Sequence, residues 1–257
     1  MNVKALTPLI DADVICYRVG FAVKEDEPVE YALSTVKNVL NNIMDRFPEA
    51  TSRRVFLTGK NNFRDALATI LTYKGNRDPN KKPYYYSEIR DYLIDHQGAE
   101  VVDGQEADDA QAIEQWRNKD KSTVIVGIDK DLYMIPGYHY NWVTDELKYV
   151  NLADANTHFF HQMLTGDSTD NILGCAVRKD VMYKTGAKKG QMHTTRVGVG
   201  PKEADDLLEP VKGDVMAMRK VVIEQYKKHR GSTAQADYKE NAALLWMRRE
   251  EGQVCPW

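Results

Sequence analysis

Thr123-Val-Ile-Val-Gly-Ile-Asp-Lys-Asp131 is the segment that most narrows what this chain can fold into. A short apolar run delivers two carboxylates, Asp129 and Asp131, immediately beyond its end. Ala5-Leu-Thr-Pro-Leu-Ile-Asp-Ala-Asp13 repeats the arrangement with Asp11 and Asp13, and Glu106-Ala-Asp-Asp109 follows a third apolar run at Val101-Val102. If these runs are neighbouring strands of one parallel sheet, their carboxylates converge on the crevice at the strands' carboxyl ends, where open α/β sheets place ligands. The expected product is an acidic pocket.

Like charges about 4 Å apart repel by roughly 4 kcal/mol at an effective dielectric near 20, so five or more carboxylates cannot share a site ionised and unaccompanied. Hard divalent cations such as Mg²⁺ or Mn²⁺ prefer oxygen ligands. Two of them roughly 3.5 to 4 Å apart clamp a phosphodiester for in-line attack by water, so phosphoryl hydrolysis is the implied chemistry. The competing reading is that acidic residues are common here, 38 of 257, and that Asp beyond a strand often caps a helix. Three clusters in one arrangement favour ligands.

At 257 residues and 42% hydrophobic content the chain can bury a full core. No apolar run approaches the roughly 20 residues of a spanning helix, so no membrane partner is expected. Cys16, Cys175 and Cys255 lack metal-ligand spacing, which fits a reducing cytoplasm and argues against structural zinc. The net charge of −3 hides two basic clusters, Lys74, Arg77, Lys81 and Lys82, then Arg178, Lys179, Lys184, Lys188, Lys189 and Arg196. Acidic pocket and basic flanks together suit a polyanionic backbone.

Strands are expected near 6–11, 53–58, 99–102 and 123–128, with helices near 28–46, 107–118 and 152–164, an alternation that implies a parallel sheet. Beyond residue 165 the strand signal fades. Pro201 to Leu208, Asp214 to Lys228 and Ala234 to Arg249 read as helices, and Gly186 to Gly190 as a Lys/Gly-rich loop.

Thr165-Gly-Asp-Ser-Thr-Asp-Asn171 spaces Asp167 and Asp170 for a second metal site on one helical turn, or else for a helix start capped by Asp167 or Ser168. In Arg196-Val-Gly-Val-Gly-Pro-Lys-Glu-Ala204, Gly198 and Gly200 allow close backbone approach and Pro201 suits a first helical position, so the exposed amides there can hold a phosphate. A plain loop-to-helix junction looks similar. Tyr73-Lys-Gly-Asn-Arg-Asp78 and Lys81-Lys-Pro-Tyr-Tyr-Tyr86 interleave rings with cations, as single-stranded nucleic acid requires. The alternative is a solvated loop followed by an amphipathic helix with Tyr92 and Leu93 facing inward.

Taken in order, strand-Asp11, Tyr-Lys-Gly-Asn-Arg, Glu-Ala-Asp-Asp, Asp-Lys-Asp, Gly-Asp-Ser-Thr-Asp-Asn and Gly-Val-Gly-Pro-Lys resemble the flap endonuclease/5′-to-3′ exonuclease superfamily, most of all its compact bacteriophage members. The resemblance covers roughly residues 6 to 210. It implies an α/β, PIN-like 5′-nuclease fold: a mainly parallel central sheet flanked by helices, with a helical arch and a helix-hairpin-helix-like C-terminal DNA-binding region. The whole chain would be one 5′-nuclease domain, with the catalytic core over 1–165, the arch near 73–95 and the helical region over 166–257.

The resemblance also assigns roles. Asp11, Glu106, Asp108 and Asp129 match ligands of a first metal with Asp109 beside them, and Asp131, Asp167 and Asp170 match those nearer a second. Lys74 and Arg77 match arch residues on the scissile phosphate, and Tyr73 would stack on a base. Gly198, Val199, Gly200 and Lys202 match the clamp on duplex DNA, which often holds K⁺. Two Mg²⁺ or Mn²⁺ ions are implied, along with DNA bearing a 5′ end, flap or nick, RNA-DNA hybrid as a further substrate, a monomer, and the cytoplasm of a bacterium or phage-infected host.

Two positions depart from the pattern. Many members carry an Asp shortly after the second strand, where Val55-Phe-Leu-Thr-Gly59 has Gly59, and Cys175 to Val197 is a basic insertion. The insertion is expected to lie along the duplex, with Lys184, Lys188 and Lys189 on phosphates, or else to be a solvated loop. The alternative functions are a PIN-like ribonuclease and a catalytically inactive structure-specific DNA-binding module.

Overall fold

Residues 3–78, 80–118 and 122–257 are described by the structure, a computed structural model; Pro79, inside the expected arch, falls outside them. The chain divides into two compact units. Met1–Phe63, Asp78–Ala155 and Met247–Val254 form the first, and Arg64–Arg77, Asn156–Trp246 and Cys255–Trp257 the second.

The first unit is built on β1 (Thr7–Asp11), β2 (Arg54–Thr58), β3 (Glu100–Val102), β4 (Thr123–Val126), β5 (Gly137–Asn141) and β6 (Glu146–Val150), in the order β3-β2-β1-β4-β5-β6. The β1–β5 neighbours pair in parallel and β6 is an antiparallel edge. β1 and β4 are buried almost throughout, which is why they read as continuous apolar runs. Strand order reverses between β1 and β4, and that reversal is the topological switch point.

α1 (Ala12–Ala22), α2 (Val29–Arg46), α4 (Tyr86–Gln97) and α5 (Ala107–Arg117) belong to this unit. α2 buries Ala32, Val36, Leu40 and Ile43, spaced at three and four residues, and each large aliphatic side chain contributes about 1.5–3 kcal/mol. α4 buries Ile89 and Leu93, with Tyr92 half-buried against the same core, as the amphipathic-helix alternative expected. α1 was not anticipated, because its buried face of Ala12, Ile15, Cys16, Val19 and Gly20 is short and small. β5 and β6 escaped because edge strands bury only alternate residues.

The second unit contains most of α6 (Leu152–Thr165), which begins in the first, then β7 (Val177–Met182), β8 (Met192–Val197), α7 (Pro201–Leu208), α8 (Val215–Arg230) and α9 (Ala234–Leu245). The short α3 (Phe63–Leu67) starts at the junction. Phe159 and Trp246 meet edge-on at 5.1 Å, and the buried Arg64 donates to the Leu244 and Trp246 carbonyls. The region beyond 165 is therefore not wholly helical: β7 and β8 form an antiparallel ribbon where no strand was expected. α9 also stops at Leu245, short of Arg249. Among the described residues no helix is long and apolar enough to cross a membrane.

Candidate metal centre and nucleic-acid interface

Asp11 ends β1 and caps α1, so the first acidic motif satisfies both readings of a carboxylate beyond a strand. Its Oδ1 accepts from the Asp13 and Val14 amides at 2.9 and 3.3 Å. The residue is only 3% exposed. Burial, then repulsion from Asp13, pushes its pKa up from 3.8 to about 8, with Asp129 adding to the rise. Asp13 is raised too, chiefly by burial, although Arg90 and Thr58 oppose the rise. Arg90 on α4 lies 3.5 Å from the Asp13 carboxylate and donates to the Thr58 carbonyl at 2.7 Å. Asp13, Thr58 and Arg90 thus support Asp11. Arg90 carries no motif by which sequence reasoning could have found it.

Across the switch point, Asp129 Oδ1 accepts from the Asp131 amide at 2.9 Å, the turn that the Asp-Lys-Asp spacing favours. Glu106 is the N-cap residue of α5, Asp108 lies in its first turn, and the Ala107 amide donates to Thr58 Oγ1 at 2.9 Å. This donor set of hard carboxylate oxygens, one buried and protonated at neutral pH for want of a cation, fits Mg²⁺ or Mn²⁺. Asp109 departs from its expected place beside the ligands. It is fully buried, and its two oxygens accept from the Glu106 and Arg248 amides at 3.3 and 3.2 Å, so its role is to cap and tether.

Gly59 has a physical explanation. A Cβ there would lie 2.1 Å from Asp103 Oδ1, which accepts from the Lys60 amide at 2.7 Å. The carboxylate of Asp103 fills the space a side chain at 59 would need.

In the second unit, Asp167 and Asp170 do not share a helical turn. Asp167 pairs with Ile172 in an isolated antiparallel bridge around a turn, and its Oδ1 accepts from the Thr169 amide at 2.6 Å. Asp170 gathers the Tyr-Lys-Gly-Asn-Arg motif. Tyr73 donates its hydroxyl to Asp170 Oδ2 at 2.6 Å, Arg77 pairs with Oδ1 at 2.7 Å, and Lys74 stands 3.8 Å away. The Lys74 backbone, at φ +52°, adopts the left-handed conformation uncommon for lysine while its amide donates to the Asp170 carbonyl. Tyr73 is 7% exposed, which corrects the expectation of an open stacking platform.

Gly198 is required by packing: a Cβ there would meet Ala176 Cβ at 2.5 Å. Val199 is buried, whereas Gly200 faces open space and precedes Pro201 at the start of α7, with no side chain capping that end. A cleft of about 330 Å³ borders Gly198, Val199, Gly200, Thr165 and Ser168. Lys202 is exposed in the first turn of α7, and Lys184, Lys188 and Lys189 are exposed in the loop closing the β7–β8 ribbon.

No family model matches the sequence, and no curated protein matches it. Among solved structures, a variant of the bacteriophage T5 flap endonuclease, in a pseudo-enzyme-product complex with DNA and metal ions, superposes with a TM-score of 0.54 at 14% identity over 93% of each chain. A mutant T5 5′-exonuclease gives 0.52 at 12% identity over 93% of this chain and 92% of its own. The chain has the phage 5′-nuclease fold.

In this 5′-nuclease fold the state of Asp11 makes stability depend on pH. Between about pH 4 and 8 the folded chain holds a proton that the unfolded chain has released, so stability falls as pH rises across that window, by at most about 1.4 kcal/mol per pH unit. Thermal melts in chelator are expected to show a larger drop in Tm from pH 5.5 to pH 8 for wild type than for Asp11→Asn, which keeps the helix cap without the charge. Parallel pH profiles for the two proteins would refute the assignment.

Proposed function

We propose that this protein is a divalent-metal-dependent phosphodiesterase acting on DNA from or near a 5′ end, as exonuclease, flap endonuclease or both, with RNA-DNA hybrid as a further substrate. The observation that carries this reading is the buried Asp11 at the β1–β4 switch point, raised to about 8 with Asp13 and Asp129 contributing. A cluster so destabilised when ionised is built for cations. The fold shared with phage nucleases, one of them solved with DNA and metal ions, supports the same conclusion.

Asp11, Glu106, Asp108, Asp129 and Asp131 would hold two Mg²⁺ or Mn²⁺ ions, with Asp167 and Asp170 assigned to the second. The metals would supply Lewis-acid stabilisation of the charge that develops on the phosphate. Lys74 and Arg77 would exchange Asp170 for the scissile phosphate and orient it, which requires opening their ion pairs. Gly198, Val199 and Gly200, with Lys202, would hold the duplex backbone at the start of α7, where loop carbonyls also offer oxygen to a K⁺ ion. A monomer suffices for this chemistry.

Digestion of 5′- and 3′-labelled duplex, nicked, gapped and flap DNA with Mg²⁺, Mn²⁺ or chelator tests the reading. Metal-dependent products from the 5′ side are expected, mononucleotides marking an exonuclease and cuts near single-strand junctions a flap endonuclease. Cleavage of RNA alone would replace the reading with a PIN-like ribonuclease. Binding without cleavage would leave a DNA-binding module.

A further inference from the structure

β7 and β8 form a two-stranded sheet of their own, and such a pair is at best marginally stable in water without packing on a face. One face, carrying Val177, Val181, His193, Thr195 and Val197, is half-buried. The other is exposed along its length. Register places Arg178 opposite Arg196, Asp180 opposite Thr194 and Met182 opposite Met192 on that exposed face.

Each rung has a distinct chemistry. Like charges directly opposite one another destabilise an antiparallel pair, so the arginine rung favours an anion between its two guanidinium groups. Arg178 donates to Asn171 Oδ1 at 3.1 Å and Arg196 to the Leu173 carbonyl at 2.7 Å, and neither has a carboxylate partner among the described residues. Both border a cleft of about 470 Å³ with Asn76, Ser168 and Thr194. Asp180, the ribbon's one acid, accepts from Thr194 Oγ1 at 2.5 Å. Met182 and Met192 are 56% and 60% exposed, an apolar pair set between arginines and the lysines of the closing loop. Tyr183 stacked on His193 at 3.7 Å stiffens this end of the ribbon.

We propose that the exposed β7–β8 face is a second nucleic-acid contact, with a phosphate across the Arg178/Arg196 rung and the Met182/Met192 rung laid against a duplex groove. The inference rests on the reading of the chain as acting on DNA, but concerns grip and not cleavage. Charge complementarity selects the occupant: planar guanidiniums suit phosphate oxygens, and exposed methionine is among the apolar side chains that proteins place against base steps. Four residues of strand separate the two rungs, roughly 13 Å, close to the ~12 Å width of a major groove.

The test uses the full chain and a fluorescein-labelled blunt duplex in chelator, with anisotropy read over a salt series. Arg178→Gln/Arg196→Gln is expected to weaken binding about tenfold or more and to flatten the slope of log affinity against log salt by about 1.8, or 0.9 per phosphate contact. Met182→Ser/Met192→Ser is expected to weaken binding several-fold with the slope unchanged. Should either pair melt the ribbon, Lys184→Gln/Lys188→Gln/Lys189→Gln in the loop outside the ladder reads the same slope. Wild-type affinity and slope in these variants would overturn the proposal and assign the face to a protein partner or to solvent. A wild type that binds duplex without hydrolysing it sinks the proposed activity and leaves the ribbon standing, whereas hydrolysis with unaltered binding in the variants sinks the ribbon alone.

Discussion

Asp129→Asn is expected to lower DNA hydrolysis on the order of 10³-fold, about 4 kcal/mol of transition-state stabilisation, while duplex affinity stays within a few-fold of wild type. The substitution removes one negative charge from the cluster beyond β4 and keeps the Oδ1 that accepts from the Asp131 amide, so the turn survives. It leaves every basic residue in place. Single-turnover cleavage and anisotropy binding, measured on the same preparation, separate the two effects. Activity within a few-fold of wild type would remove Asp129 from the metal centre.

Lys74→Ala and Arg77→Ala are expected to lower single-turnover cleavage on the order of 10²-fold each, far more than they lower duplex affinity, since a phosphate-orienting cation acts most strongly in the transition state. Both cations face Asp170 in this structure, at 3.8 and 2.7 Å. The pairs are partly solvent-exposed, with Arg77 half exposed, so breaking them costs little. Equal losses in binding and chemistry would make the two residues ordinary docking contacts.

The catalytic half was legible in the sequence where local pattern and tertiary placement coincide. β1 and β4 are buried on both faces and so appear as apolar runs, and a carboxylate just past such a run falls at the crevice whatever the surroundings. Roles set by distant partners were not legible. Asp109 is tethered by Arg248, 139 residues away, and Tyr73 is held by Asp170, 97 residues away. Gly198 looked like an opening for phosphate and is instead demanded by Ala176, a packing constraint invisible without the fold. The β7–β8 ribbon left no trace because its exposed face mixes Arg, Asp, Thr and Met, and only the register shows that the like residues pair.

The central claim is that the carboxylates beyond β1 and β4 bind divalent cations. Calorimetric titration of the full chain with Mn²⁺ tests it most directly, comparing wild type with Asp11→Asn and Asp129→Asn at pH 7.5. The account predicts saturable binding by wild type, accompanied by proton release, because Asp11 holds a proton at that pH, and at least tenfold weaker binding by either variant. Indistinguishable Mn²⁺ isotherms for the three proteins would contradict it.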